Sequence, residues 1–286
     1  MRVMTENQSR ATVRAELNYL APDSRVNRRF VAPGSELNTG RYESIETEIR
    51  NARLESIDTL DAMGFARQDH RSAVDDFRNR ALVETVYYRE VCAAVGAWLG
   101  ADLVVPMGHV LRTAGQTVPG VSQPPAGDVH VDVTPQRAPA LAAMKWRESG
   151  REGQAYRRFV VSSFWRSISP PPQDWPLALC DYRSVDDDEG VPNIMIYCNN
   201  LPERGACLAP IAGEDRLPAA TVFPYNRAHR WYYYPDMTRD EALLIKFYDS
   251  DRSRAWRAAH TAFQDPSADA EGPRESIETR TVAYFL

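Results

Sequence analysis

Polar and apolar residues alternate with period two along several short stretches, which places alternate side chains on opposite faces of an extended strand. Residues 13–20, 44–50 and 276–286 read as strands on this pattern, and the apolar-rich stretches 103–111 and 159–168 read as strands as well. Residues 242–248 (Ala-Leu-Leu-Ile-Lys-Phe-Tyr) form a continuous apolar run broken only by Lys246, the signature of a strand buried on both faces. Shorter apolar segments at 177–182, 194–197, 229–234 and 261–263 add further strand candidates. A helical period is clearest in Leu82, Val83, Val86, Tyr87, Val91, Val95, Trp98 and Leu99, with Gly100 as the stop. Ser72-Ala-Val-Asp75 matches a loose capping box and predicts where that helix begins. Residues 137–148 predict a second helix with Leu141, Met144 and Lys145 on one side, and residues 58–63 a helical turn ended by Gly64. Residues 21–40, with Pro22, Pro33, Gly34 and Gly40, read as loop, as does the stretch 113–128 with three prolines and three glycines. Many short strands between turn residues indicate a barrel or sandwich with helices packed outside it.

Composition narrows this little. The chain of 286 residues is 43% apolar and 26% charged, ordinary for a globular protein able to bury a sizeable core. A net charge of −5 gives no basic footprint for nucleic acid, and no apolar run reaches membrane-span length. Cys92, Cys180, Cys198 and Cys207 show no CxxC spacing, and no secretory apolar segment follows Met1; reduced thiols in the cytoplasm are expected. The acidic run 186–189 reads as a solvated turn rather than a metal site.

The chemistry concentrates in His130-Val-Asp-Val-Thr134. On a strand, His130 and Asp132 share a face and supply two thirds of a 2-His-1-carboxylate triad, the set that leaves open positions on non-haem Fe(II). By spacing alone a hydrogen-bonded pair at a strand end is the favoured alternative. Of the five histidines, His260 has the best context to complete the set: strand-like sequence precedes it, and Arg274-Glu-Ser276 follows fourteen residues later. Arg274 and Ser276 share a face and present a guanidinium fork and a hydroxyl suited to a carboxylate; ion pairing of Arg274 with Glu275, Glu278 or Asp265 is the alternative. His229, beside Trp231 and three tyrosines, reads as part of an aromatic cluster, and that cluster hints at a ring-bearing substrate. His109 and Arg112 share one strand and either approach the pocket or serve the core.

The order His-x-Asp, distal His, then Arg-x-Ser on the last strand resembles the Fe(II)/2-oxoglutarate-dependent dioxygenases, and more narrowly the CmcJ/AsaB-like (NvfI-type) hydroxylase–desaturases of specialised metabolism. Besides the triad stretch, the resemblance rests on Phe164-Trp-Arg-Ser-Ile168, Asp174-Trp-Pro-Leu-Ala-Leu-Cys-Asp181, Trp231-Tyr-Tyr-Tyr-Pro-Asp-Met237, Asp240-Glu-Ala-Leu-Leu-Ile-Lys-Phe-Tyr-Asp-Ser250, His260-Thr-Ala-Phe263 and Pro273-Arg-Glu-Ser-Ile-Glu-Thr-Arg280. It implies a mainly β fold with flanking helices around a double-stranded β-helix (jelly-roll, cupin-like) core. That fold would be one oxygenase domain over 1–286, with 1–100 as a helix-containing flank and 101–286 as the core. It implies Fe(II) on His130, Asp132 and His260, 2-oxoglutarate on Arg274 and Ser276, and O2 as oxidant of a C–H bond in a small-molecule substrate. Arg166 is a further candidate for a 2-oxoglutarate or substrate contact, beside Trp165, with a structural role as its alternative. Other readings stay open. In isopenicillin-N-synthase-like oxidases an Arg-x-Ser holds substrate and no 2-oxoglutarate is used. A divalent-metal hydrolase would need a nearby general base, and a non-catalytic jelly-roll module would need none of these residues. The oligomeric state, homodimer included, is not legible.

Overall fold

A computed structural model describes residues 5–203 and 205–286. Its strands, in chain order, are β1 (Thr12–Leu20), β2 (Arg28–Ala32), β3 (Ser35–Asn38), β4 (Tyr42–Asn51), β5 (Phe65–Asp69), β6 (Leu103–Thr113), β7 (Ser122–Gln123) and β8 (His130–Val131). They continue with β9 (Arg158–Ser167), β10 (Leu177–Cys180), β11 (Val191–Tyr197), β12 (Ala219–Val222), β13 (Trp231–Tyr233), β14 (Glu241–Asp249), β15 (His260–Ala262) and β16 (Glu275–Phe285). They form a ten-stranded sheet, β1-β4-β13-β10-β15-β8-β12-β11-β2-β3, and a six-stranded sheet, β5-β14-β9-β16-β6-β7.

Side-chain alternation on the six-stranded sheet separates two apolar layers. Phe159, Val161 and Trp165 of β9, Leu243, Ile245 and Phe247 of β14, and Val282 and Tyr284 of β16 face the larger sheet. Val160 and Phe164, Ala242 and Leu244, and Ile277, Ala283 and Phe285 face the other way, onto a helical layer. The helix Tyr88–Leu99 supplies that layer and ends at Gly100, whose φ of 67° is left-handed. A π-helical turn over Val83–Tyr87 precedes it. The wider turn keeps Val83, Tyr87, Val91 and Val95, four residues apart, on one fully buried line. The expected start at Ser72 is corrected. Helical backbone begins at Arg80, where the Asn79 side chain accepts from the Leu82 N–H. Ser72 instead donates to Glu90 and accepts from the Val74 N–H.

Three other expectations change. Residues 21–40 hold the β2–β3 hairpin, turning at Gly34 with φ 73°; dense Pro and Gly mark the turn and conceal the short strands on either side. The helix Ala138–Glu148 buries Ala138, Ala142 and Trp146, whereas Met144 is exposed and Lys145 pairs with Glu148 at 2.7 Å. Small alanines carry little weight in a hydrophobic pattern, yet Tyr284 needs that face for its hydrogen bond to the Ala142 carbonyl at 2.7 Å. Finally, no boundary falls at residue 100. β1 pairs with β4, β4 runs parallel to β13, β2 runs parallel to β11, and β5 pairs with β14, so the first hundred residues are woven into both sheets.

The segment between β14 and β15 is stitched down from below. Lys246 is fully buried, and its Nζ donates to Asp61 at 2.7 Å, Asp249 at 2.9 Å and the Ala255 carbonyl at 3.0 Å. Gly64 (φ 82°) lies under the same segment, where a Cβ would come within 2.5 Å of the Arg257 carbonyl oxygen. Among the described residues no helix is long and apolar enough to cross a membrane. Leu244→Ala, a cavity in the fully buried helix-facing layer, should lower stability by about 2–5 kcal/mol, read as a lower urea midpoint; an unchanged midpoint would mean that the layer is not packed as described.

Candidate metal centre

β8 is only two residues long and lies between β12 and β15. Its one pairing with β15 sets His130 directly opposite His260. Their ring centroids are 4.5 Å apart. Both rings are oriented alike: His130 Nδ1 lies 2.7 Å from the Asp128 carbonyl and His260 Nδ1 lies 3.1 Å from the Ala258 carbonyl. A carbonyl only accepts, so each Nδ1 carries the proton and each Nε2 is left with its lone pair. Phe247, on the facing sheet, stacks on His260 at 5.4 Å and 8° between planes. A bulge in the β14–β9 pairing falls between Lys246 and Tyr248, at this phenylalanine.

Asp132 completes the group. One ligand atom from each of His130, Asp132 and His260 lies within 4.8 Å of the others. Asp132 Oδ2 is 3.3 Å from His260 Nε2 and 3.8 Å from His130 Nε2, is buried, and makes no hydrogen bond. Its other oxygen, Oδ1, is in an ion pair with Arg280. Burial alone would raise the Asp132 carboxyl pKa, but Arg280 and the two imidazoles outweigh it and hold the group well below its usual range. Burial, with His260 second, pushes His130 down. The set therefore presents a carboxylate oxygen and imidazole lone pairs in a largely buried pocket, a donor set that fits a divalent transition metal.

The strand β16 crosses this pocket with one polar face. Arg274, just before it, and Ser276, Glu278 and Arg280 are successive i, i+2 positions. Arg274 and Glu278 line a cavity together with His130, His260, Arg112 and Trp165. Arg274 is 1% exposed, and its three guanidinium nitrogens have no hydrogen-bond partner, nor has Ser276 Oγ. Burial first, and Arg112 next, push the Arg274 pKa down to about 9, which leaves it cationic at neutral pH. None of the acids considered as its partner pairs with it: Glu275 goes to Arg78, Glu278 to Arg280 and Arg112, and Asp265 to Ser267.

Arg166 is a correction. Odd positions of β9 face the cavity, and Arg166 is on the helix-facing side. There its guanidinium donates to Tyr87 Oη at 3.1 Å and the Arg239 carbonyl at 2.6 Å, and meets His70. It is a buried anchor for the helical layer, whereas its neighbour Trp165 lines the cavity. His229 stands apart from the triad, against Tyr19 and with Nε2 2.9 Å from Glu189. Trp231 and Tyr233 belong to the inter-sheet core and do not line the cavity, so the hint of a ring-bearing substrate loses its basis. Arg112 does reach the pocket, while His109 turns away to Tyr88 at 2.8 Å. Sequence reasoning assigned no site role to Arg280 and weighed Glu278 only as an ion-pair partner of Arg274; the period-two step from Arg274 and Ser276, carried two places further, points to both.

Comparison with known proteins agrees with this geometry. Residues 17–284 match the family model described as oxidoreductase/YMDC permease-like domain. The hydroxylase/desaturase efuI of Hormonema carpetanum is 30% identical over 99% of this chain and 98% of its own. The Fe(II)/2-oxoglutarate-dependent dioxygenase nvfI of Aspergillus novofumigatus is 30% identical over 71% of this chain and 68% of its own. The solved structure of the iron and alpha-ketoglutarate-dependent endoperoxidase NvfI superposes with a TM-score of 0.79 at 26% identity, covering 97% of this chain and 99% of that one. The two facing sheets are thus the expected jelly-roll oxygenase fold, and the chain belongs to the oxidoreductase/YMDC permease-like domain family, among its hydroxylase/desaturases and Fe(II)/2-oxoglutarate-dependent dioxygenases.

Proposed function

We propose that this Fe(II)/2-oxoglutarate-dependent dioxygenase oxidises a C–H bond of a small specialised metabolite, by hydroxylation, desaturation or oxidative cyclisation. In this reading the iron ligands are His130 and His260 through Nε2 and Asp132 through Oδ2, and Arg274 and Ser276 hold the far carboxylate of 2-oxoglutarate. One observation carries it: the Arg274 guanidinium and the Ser276 hydroxyl are buried without partners beside the triad. A buried cation without a counter-ion is expensive, and a dicarboxylic co-substrate supplies the missing charge in the bidentate form that guanidinium prefers. The names of the relatives span hydroxylase/desaturase and endoperoxidase, which supports a shared oxidant with varied outcomes.

Fe(II) with 2-oxoglutarate and O2 supplies the oxidising power when bound. The chain's own residues bind, orient and exclude water. The carbonyls of Asp128 and Ala258 hold the imidazoles in one tautomer. Leu177, Ile245 and Ala262 give the cavity an apolar wall. Glu278, the carboxylate of the cavity lining, is tied to Arg280 at 2.6 Å and faces Arg112 at 3.6 Å, so it is engaged rather than free to act as the general base of a hydrolase. The four cysteines are free, in keeping with a reducing compartment, the cytoplasm.

His130→Ala and Asp132→Ala should each weaken anaerobic binding of Fe(II) or Mn(II) by more than about a hundredfold, beyond what loss of an outer partner costs; calorimetric titration of the folded variants reads it, and unchanged affinity in both would sink the assignment. His260→Ala should lose metal and turnover, while His229→Ala keeps its metal; the reverse pattern would make His229 the distal ligand. Arg274→Leu should raise the KM for 2-oxoglutarate at least about tenfold, since a charge-assisted pair contributes roughly 1.5–3 kcal/mol and about 1.4 kcal/mol is one decade. Product formed equally well without 2-oxoglutarate, with substrate binding lost in Arg274→Leu, would reassign the pair to the substrate.

A further inference from the structure

Asp132 uses its two oxygens differently. Oδ1 is engaged by Arg280, and Oδ2 is buried, unbonded and turned to the two imidazoles. Arg280 in turn has little freedom. Its Nε donates to Glu278 Oε1 at 2.6 Å, and Glu278 Oε2 lies 3.6 Å from Arg112 Nε. Arg112 is anchored to backbone through its Nη1, which donates to the Pro124 carbonyl at 3.0 Å. A line of alternating charge, Arg112–Glu278–Arg280–Asp132, therefore runs from the loop before β8 to the triad. The terminal torsion of a carboxylate is broad, so nothing within Asp132 itself decides whether it offers a metal one oxygen or two. An engaged Oδ1 decides it.

Resting on the reading of His130, Asp132 and His260 as the metal site, we propose that Arg280 is a positioning residue, which occupies Oδ1 and so fixes Asp132 as a one-oxygen ligand through Oδ2. Arg280 never touches the metal in this arrangement; it acts through Asp132. Two effects of opposite sign would follow its removal. Its positive charge repels a divalent cation, so deleting that charge alone would tighten the site. Losing the grip on Oδ1 frees the carboxylate to rotate, which loosens the site. Glu278, ion-paired with Arg280, offsets the guanidinium charge, so the loss of orientation dominates. Outer partners of metal ligands are typically worth ten- to a hundredfold in affinity.

The test is anaerobic calorimetric titration of the full chain with Mn(II), without 2-oxoglutarate. Arg280→Met should raise the Mn(II) Kd at least about tenfold, with an unchanged circular dichroism spectrum. Arg280→Lys should fall between, because an ammonium can still donate to Oδ1 but cannot bridge both carboxylates as a fork. Because Arg280→Met strands Glu278, the double variant Arg280→Met/Glu278→Gln is read alongside it and replaces it if the single variant does not fold. Wild-type or tighter affinity in the folded variant, or no gain on restoring a donor to Oδ1 with Lys, overturns the proposal. His130→Ala separates the two levels. If it loses Mn(II) while Arg280→Met retains it, the Arg280 assignment alone fails; if it binds Mn(II) as the wild type does, the metal site and the proposal fall together.

Discussion

A single cross-strand pair, His130 opposite His260, holds this site together. The two residues are separated by most of the core in sequence and meet only because β8 and β15 are neighbours at the middle of the larger sheet. Both strands are short, three residues at most, so few ladder bonds fix the register locally. It is fixed by what flanks them: β12 on one side, β10 on the other, and Phe247 pressing from the facing sheet onto His260. A one-residue slip would turn either histidine into the core and bring a neighbour such as Val131 into the pocket. The matching Nδ1–carbonyl contacts, each two residues back along the chain, then leave both Nε2 lone pairs on the same point.

Charge around that point is divided sharply. Arg280 and Arg112 are matched by Asp132 and Glu278, whereas the guanidinium of Arg274, on the same face of the same strand run, makes no hydrogen bond to any acid. The same residue type thus stands in two states. The guanidinium of Arg280 has its donors engaged by carboxylates; that of Arg274 is buried with its donors unused. Burial makes the difference large, since a charge shielded from water depends on its immediate partner far more than a surface charge does.

The pocket also depends on distant supports. Lys246 points away from the cavity, between Ile245, which lines it, and Phe247, which stacks on His260. Its ammonium ties Asp61, Asp249 and the Ala255 carbonyl together beneath the segment that leads into β15. Arg166 does the corresponding work on the far side of the small sheet, joining the helical layer to β9 through Tyr87. Neither residue touches the site, yet each sits one position from a residue that does.

The sequence by itself determined the elements whose signal is local and the chemistry whose spacing is short. Period-two alternation marked β1, β4 and β16, and apolar-rich runs marked β6, β9 and β14, to within a few residues. His-x-Asp and Arg-x-Ser were legible because i and i+2 share a face in any strand. The family pattern added the distal histidine and the jelly-roll fold. What only the tertiary structure decided was non-local. Which face of β9 looks inward put Trp165 in the cavity and Arg166 outside it. Strand order wove the first hundred residues into both sheets and took the aromatic run at 231–234 into the core. Most of all, partner choice among charges is a matter of distance in space: Glu278 was a reasonable partner for Arg274 by sequence, but the folded strand hands it to Arg280 and Arg112 and leaves Arg274 open. Local rules tell where a side chain points; only packing tells what it meets there.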